Sequence, residues 1–218
     1  LSPCALGMAP AALPRGEASP VVSAPEAAVA ASPALDAALL AAALPADAHG
    51  LALDVGAGGG AAGLGLAVRA PALRLRLIER DGRLAALARE NVATNGLSAR
   101  AEVVETDALA PALRRAAGLE AEGADIVLSN PPYLDPARHR LAPEKAAAHA
   151  MPRPGAQDLA RWTRACLALL RPRGTLVMIH RADALADLLA ALAGRAGDLR
   201  IAPVRPRSDA AATRVLVR

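Results

Sequence analysis

A short apolar segment that leads directly into a cluster of glycines constrains the fold of this chain more than any other feature. Residues 51–55 (Leu-Ala-Leu-Asp-Val) have the pattern of a buried strand, residues 56–60 (Gly-Ala-Gly-Gly-Gly) come directly after them, and residues 61–69 have the pattern of a helix. Glycines let the backbone approach a ligand closely, and the start of a helix offers free N–H groups. This order of elements predicts the nucleotide-binding unit of an α/β fold.

Strand and helix patterns alternate along the rest of the chain. Further strands are predicted at residues 73–78, 101–105, 124–129 and 175–179, and helices at 33–44, 83–95, 111–117, 156–170 and 183–192. Residues 199–204 and 213–217 are two strand patterns joined by a short polar link, which predicts an antiparallel pair at one edge. We therefore expect an α/β fold with a seven-stranded, mostly parallel sheet, an antiparallel edge pair and helices on both faces.

The amino-terminal 32 residues differ in composition from the rest of the chain. They are rich in Ala, Pro and Ser, which predicts a poorly ordered leader at 1–32 ahead of a single domain at 33–218. Cys4 and Cys166 are far apart and form no disulfide framework, which favours a reducing cytoplasm. The sequence contains no uncharged apolar span of about 20 residues, so no membrane helix is predicted. No metal site is predicted.

The turn Asn130-Pro131-Pro132-Tyr133 directly follows the strand predicted at 124–129. Ligands of open α/β sheets bind at the carboxyl ends of the strands, and the two prolines fix the backbone there. The Asn130 amide oxygen and the Pro131 carbonyl can accept the two hydrogens of a planar amino group, and the Tyr133 ring can cover its plane. An ordinary proline-rich turn is the alternative. However, this is the one tyrosine in 218 residues, which favours methyl transfer to nitrogen.

Gly58, Gly60 and Gly63 satisfy the dinucleotide fingerprint literally, so NAD is one possible cofactor. Glu79, at the end of the second strand, could hold the ribose hydroxyls of NAD or of S-adenosylmethionine. The turn at Asn130 has no role in hydride transfer, which favours the methyl donor.

Two further carboxylates favour S-adenosylmethionine. Asp54 stands two positions before Gly56, where it can meet the ammonium of a methionine moiety. Asp107 follows the third strand, where it can accept a hydrogen bond from the adenine amino group.

These motifs together resemble those of the class I methyltransferases that modify exocyclic amino groups. The resemblance is carried by residues 54–60 (Asp-Val-Gly-Ala-Gly-Gly-Gly), Glu79, Asp107 and 130–133. Residues 36–43, 88–91, 95–96 and 179–181 are similar, more narrowly, to the bacterial tRNA adenine-N6 methyltransferases that act beside the anticodon of a valine tRNA. The resemblance covers residues 36–218. It implies a Rossmann-like methyltransferase domain that binds S-adenosylmethionine and modifies tRNA, with Asn130, Pro131 and Tyr133 as catalytic residues.

Charge gives weaker support for a nucleic-acid partner. The chain has 25 basic and 21 acidic residues, a formal net charge of +4, and arginine supplies nearly all of the positive charge. Arg138, Arg140 and Lys145 lie in the long connection at 134–155 and either contact RNA phosphates or form a solvated basic loop.

Other acceptors suit the same turn. Guanine N2 of ribosomal RNA and a glutamine amide of release factors remain alternatives, as does a non-catalytic RNA-binding module. Trp162 and Cys166 fall near helical spacing and are predicted to be core residues, His180 to be structural, and His49 to lie on the surface.

Overall fold

The computed structural model describes residues 33–132 and 156–218, and these residues form one seven-stranded sheet with helices on both faces. The strands are β1 (Gly50–Val55), β2 (Leu73–Glu79), β3 (Ala101–Glu105), β4 (Ala124–Ser129), β5 (Leu170–Arg181), β6 (Ile201–Val204) and β7 (Arg214–Val217). The helices are α1 (Pro33–Ala42), α2 (Ala61–Arg69), α3 (Gly82–Thr94), α4 (Pro111–Ala116), α5 (Ala156–Leu169) and α6 (Leu185–Leu192).

The strands lie in the order β3-β2-β1-β4-β5-β7-β6. The first five are parallel, while β7 is antiparallel to both β5 and β6. The order reverses between β1 and β4, and the register pairs Val55 with Ser129. The glycine loop and the Asn130 turn therefore leave the sheet side by side, at the switch point where open α/β sheets bind ligands. The predicted fold and antiparallel edge pair are confirmed.

Each face of the sheet is covered by its own apolar layer, because alternate side chains of a strand point to opposite faces. Ala52, Leu75 and Leu77 pack with α1, α2 and α3 on one face. On the other face, Leu53 and Ile78 pack with α5 and α6, while α4 has no buried residue. The central strands are therefore buried on both faces.

Most element boundaries agree with the predictions to within two residues. Asp81 caps α3, since its carboxylate accepts the N–H groups of Arg83 and Leu84, and Gly96 ends that helix with φ +67°. The main difference is β5, which begins at Leu170 because that residue pairs with Ala124. The register then shifts before pairing resumes at Thr175.

Residues 1–32 and 134–155, for which a leader and a basic loop are predicted, lie outside the described part of the chain. Within the part that is described, no helix is long and apolar enough to cross a membrane. The same residues contain no group of His, Cys, Asp and Glu side chains that could hold a metal ion.

Candidate active site

Asn130, Pro131 and Pro132 form the described part of the turn after β4, called here the acceptor turn. Pro131 is buried, Asn130 and Pro132 are partly exposed, and the Oδ1 atom of Asn130 is itself buried. Over residues 33–132 and 156–218, this oxygen has no hydrogen-bond partner. Leaving a buried acceptor without a partner costs about 1–3 kcal/mol, so its presence calls for a functional explanation.

The glycine loop between β1 and α2 turns sharply at three positions. Gly56, Gly58 and Gly60 have φ values of +76°, +55° and +89°, in the region that favours glycine. The N–H groups of Gly56 and Ala57 both donate to the carbonyl of Ile78, at 2.9 and 3.0 Å, which anchors the start of the loop to β2. A Cβ built on Gly58 would meet no atom within 4 Å, so the middle of the loop faces open space.

Glu79, at the end of β2, joins that strand to the glycine loop. Its Oε2 accepts the N–H of Gly58 at 2.9 Å, and its Oε1 accepts those of Arg80 and Asp81 at 2.8 and 2.9 Å. The side chain is buried apart from a small exposed fraction of 9%. The carboxylate is therefore fixed at the mouth of the loop before any ligand arrives.

Asp54 is almost wholly buried in β1, and its Oδ2 accepts the N–H of Gly63 at 2.8 Å. Burial raises the pKa of Asp54 to about 7; the Gly63 hydrogen bond opposes this shift and the charge of Glu79 adds to it. A Cβ on Gly63 would lie 2.6 Å from Leu77 Cδ2 and 3.0 Å from that Oδ2. Gly63, which completes the dinucleotide fingerprint, is thus required here for the close packing of α2 on the sheet.

Asp107 follows β3 at the same edge of the sheet. Its Oδ1 accepts the N–H of Leu109 at 2.8 Å, and the residue is partly exposed. The three carboxylates and the glycine loop thus lie at one edge of the sheet, and Gly58 of that loop faces open space. This set of donors and acceptors fits a ligand that carries an ammonium, ribose hydroxyls and an adenine amino group, as S-adenosylmethionine does.

A link between the glycine loop and the acceptor turn was not foreseen from the sequence. The indole Nε1 of Trp162 donates to Ser129 Oγ at 2.9 Å, and Ser129 Oγ donates to the Val55 carbonyl at 2.7 Å. A Cβ on Gly56 would lie 2.8 Å from Trp162 Cζ2, so the indole also packs on the loop. Helical periodicity correctly placed Trp162 in the core. It could not reveal a partner 33 residues away.

His180 and Cys166 are buried, whereas His49 is exposed. His180 is buried at the end of β5, and burial, followed by the charge of Arg181, lowers its pKa to about 4. Cys166 is a buried free thiol whose pKa burial raises to about 12. His49 is exposed, as predicted. At neutral pH His180 and Cys166 are therefore both uncharged.

Four predicted site residues lie outside the described residues: Tyr133 of the acceptor turn, and Arg138, Arg140 and Lys145 of the connection after it. Their roles stay predictions.

Comparison with known proteins shows what the whole chain is similar to. The family model of the methyltransferase small domain matches residues 25–183. The chain is 30% identical over 154 residues to the release factor glutamine methyltransferase of Chlorobaculum tepidum, covering 68% of this chain and 51% of that protein. It is 34% identical over 139 residues to the tRNA1(Val) (adenine(37)-N6)-methyltransferase of Porphyromonas gingivalis, covering 62% of this chain and 51% of that protein.

The chain therefore spans about half the length of the curated relatives it matches. Among solved structures, a predicted O-methyltransferase of Agrobacterium tumefaciens is 32% identical to the chain. Its TM-score is 0.68, and the match covers 84% of this chain and 78% of that one.

Proposed function

We propose a substrate for this chain from the premise that it belongs to the methyltransferase small domain family. Membership agrees with the predicted methyltransferase fold and with S-adenosylmethionine as the cofactor. The proposed reaction is transfer of the methyl group to an exocyclic amino nitrogen, with adenine N6 in tRNA as the acceptor.

The single observation that carries this proposal is the buried Asn130 Oδ1, which has no partner among the described residues. An exocyclic amino group brings two hydrogens, and Oδ1 and the Pro131 carbonyl are two acceptors held by a rigid turn. Accepting both hydrogens would orient the nitrogen and disperse the positive charge that develops on it during transfer. The buried oxygen would then gain the partner that it lacks.

The cofactor would be held on the glycine-loop side of the same edge. Asp54 would face its ammonium, Glu79 its ribose hydroxyls, and Asp107 its adenine amino group, with Gly56, Gly58 and Gly60 giving the backbone room to approach. When bound, S-adenosylmethionine supplies an electrophilic methyl group. The chain itself then needs to position and orient the acceptor nitrogen, which is the task assigned to Asn130, Pro131 and Tyr133.

Two observations support adenine in tRNA as the acceptor. The relative at 34% identity is named for adenine N6 of a tRNA, and residues 36–43 and 179–181 resemble that family. The positive net charge is compatible with RNA. A glutamine amide is the second candidate, because the relative at 30% identity modifies release factors by its name and an amide also presents two hydrogens.

The test is incubation with radiolabelled S-adenosylmethionine and, in parallel, bulk tRNA, ribosomal RNA or release factors. Label should be recovered as N6-methyladenosine from tRNA, and Asn130→Ala should remove it. Label in a release factor would favour the second candidate, and label in guanosine would move the acceptor to guanine N2. Absence of label from all three substrates would contradict the proposal.

A further inference from the structure

We infer that Arg205 and Arg207, in the turn between β6 and β7, bind phosphates of the RNA whose base enters the acceptor turn. This inference rests on the proposed function, since it names a part of the surface that holds the same substrate. The turn, residues 205–213, is called here the β6–β7 turn.

The carboxyl-terminal segment of the chain carries its net positive charge. Residues 193–218 contain six arginines and two aspartates, a net charge of +4 that equals the formal net charge of all 218 residues. The preceding residues are therefore balanced overall. Within this segment, Arg205, Arg207 and Asp209 give the β6–β7 turn a net charge of +1, while Arg195 and Arg200 precede β6. Guanidinium groups match the geometry of phosphates, so the two arginines of the turn are candidates for phosphate contacts.

The topology brings the β6–β7 turn to the same edge of the sheet as Asn130. Because β7 is antiparallel to β5 and to β6, strand β6 runs parallel to β5, and its carboxyl end points the same way as that of β4. Ser129 is in register with Met178, while Arg181, Arg214 and Val204 lie three residues further along. The turn thus extends beyond the level of Asn130.

The lateral separation suits a polynucleotide. Two strands, β5 and β7, lie between β4 and β6. At the usual spacing of neighbouring strands, β4 and β6 are therefore about 14 Å apart. A base flipped into the acceptor turn remains joined to a backbone that continues to either side. Phosphates flanking the flipped nucleotide could therefore reach this turn, whereas a free nucleoside could not span both places.

The arginines of the turn are available for binding. Arg205 and Arg207 are exposed, and no carboxylate of the described residues forms an ion pair with Arg205. Arg207 lies 3.7 Å from Asp209, but both side chains are about four-fifths exposed, so water screens the pair. By contrast, the guanidinium of Arg214 pairs with the buried Asp36, and that of Arg218 donates to the Ala43 carbonyl.

The experiment compares two double variants that remove the same charge. Arg205→Gln with Arg207→Gln removes it from the β6–β7 turn. Arg195→Gln with Arg200→Gln removes it from the opposite end of β6, about 16 Å away along the strand for Arg200 and Arg205. The control is closely matched, because Arg195 and Arg200 are also exposed, and Arg200 has a similar loose pair with Asp198 at 3.8 Å. The full chain is used throughout, with bulk tRNA as the probe and a series of salt concentrations.

For the turn variant, we expect weaker tRNA binding and a slope of log K against log salt that is shallower by about 1.4 to 1.8, as for two lost phosphate contacts. The control variant should keep the slope of the unaltered chain, and the affinity for S-adenosylmethionine should be the same in all three proteins. Equal slopes for the two variants, or no change in either, would overturn the inference. So would a turn variant that loses affinity for a release factor but not for tRNA.

Failure of this inference can be told apart from failure of the proposed function. If the unaltered chain methylates tRNA while the turn variant binds tRNA normally, the inference is wrong and the proposed function stands. If the unaltered chain methylates only a release factor, the proposed acceptor is wrong whatever the binding slopes show.

Discussion

Glu79 and Asn130 lie at the carboxyl ends of strands of the same sheet, yet their side-chain oxygens have different surroundings. The two oxygens of Glu79 accept three backbone N–H groups, and Asp54 likewise accepts one from Gly63. The Oδ1 of Asn130 is buried without a partner in the described residues. The carboxylates of the proposed cofactor side, which is the glycine loop with Asp54, Glu79 and Asp107, therefore accept backbone N–H groups, whereas the Asn130 oxygen of the acceptor turn accepts none from the described residues.

This difference suggests two ways of building a site. Carboxylates bonded to the backbone give rigidity to the cofactor side and contribute to the stability of the fold. An acceptor without a partner costs stability, and the cost is recovered only when a donor enters. Substitutions on the two sides should therefore have opposite consequences for folding and for catalysis.

The largest effect is expected for Asn130→Ala. Loss of one group that stabilises developing charge lowers kcat by about 10²–10³-fold, while the Kd for S-adenosylmethionine should stay within a factor of about two, because no cofactor contact is proposed for this side chain. The free energy of unfolding should not fall, since the substitution removes a buried acceptor that has no partner among the described residues. Single-turnover kinetics, calorimetry of cofactor binding and urea unfolding measure the three quantities. A clear loss of stability would show that the comparison is wrong.

Glu79→Ala should act in the opposite way. Three backbone N–H groups lose their acceptor, so the free energy of unfolding should fall by about 2–3 kcal/mol and cofactor affinity by about 10–100-fold. Urea unfolding and calorimetry of cofactor binding measure these two losses. At saturating cofactor, kcat should be nearly unchanged.

The matched control is Glu105→Ala. Glu105 is the register partner of Glu79 on β3, but it is exposed, and its one ion pair within residues 33–132 and 156–218 is with the surface residue Arg89. Its removal should change the free energy of unfolding by less than about 0.5 kcal/mol. If Glu79→Ala and Glu105→Ala lower the free energy of unfolding by the same amount, the backbone hydrogen bonds of Glu79 contribute no special stability, and the comparison with Asn130 is wrong.

A third test uses the titration of Asp54. Its pKa is raised from 3.8 to about 7, so the folded protein holds this proton more tightly than the unfolded chain does. If the ionised carboxylate meets the cofactor ammonium, affinity should fall about tenfold for each pH unit below about 7. Asp54→Asn should have low affinity at every pH. Titration calorimetry from about pH 5 to about pH 8 measures the slope, and a slope retained in Asp54→Asn would exclude Asp54 as its source.

The same shift predicts a change in stability. Because the pKa is raised on folding, the stabilising contribution of the proton is full below pH 3.8 and is lost as pH rises to about 7. Asp54→Asn should therefore show a smaller decline in the free energy of unfolding over this interval than the unaltered chain. Equal declines would mean that other groups cause it.

The smallest effect on kcat is expected for Trp162, which lies between the glycine loop and the acceptor turn. Trp162→Phe keeps an aromatic ring near Gly56 but removes the N–H that Ser129 accepts, so kcat should fall about fivefold, the equivalent of one hydrogen bond of about 1 kcal/mol. The KM for cofactor should hardly change. Thr163→Val is the control, since the buried Thr163 hydroxyl donates to the Leu159 carbonyl of the same helix and has no other bond within the described part of the chain. It should lower stability without lowering kcat, and equal kcat losses would rule out a positioning role for Trp162.

Much of the fold was predictable because its signals are local. β3 and β4 have the predicted bounds, since branched side chains between glycines and polar residues define a strand without reference to the rest of the chain. The start of β5 was predicted too late, because Pro172 and Gly174 interrupt the pattern. Pairing of Leu170 with Ala124 continues the strand beyond that interruption, and such pairing is not visible in a linear sequence.

The sequence predicted where the residues of the candidate site lie on the sheet, but not which hydrogen bonds they form. The order of strands, glycines and carboxylates placed Glu79 and Asp107 at one edge. The bonds of Glu79 to the Gly58, Arg80 and Asp81 N–H groups depend on loop conformation, and the bond of Trp162 to Ser129 depends on how α5 packs on β4. These are tertiary contacts, and side-chain spacing alone does not determine them.

The location of Trp162 also makes the protein its own optical probe. It is the one tryptophan of the sequence, which contains a single tyrosine and no phenylalanine. Ultraviolet emission of the unlabelled protein therefore comes almost entirely from one indole, which lies against Gly56 and donates to Ser129. Binding that alters the surroundings of Gly56 or of Ser129 should therefore change the wavelength and intensity of that emission.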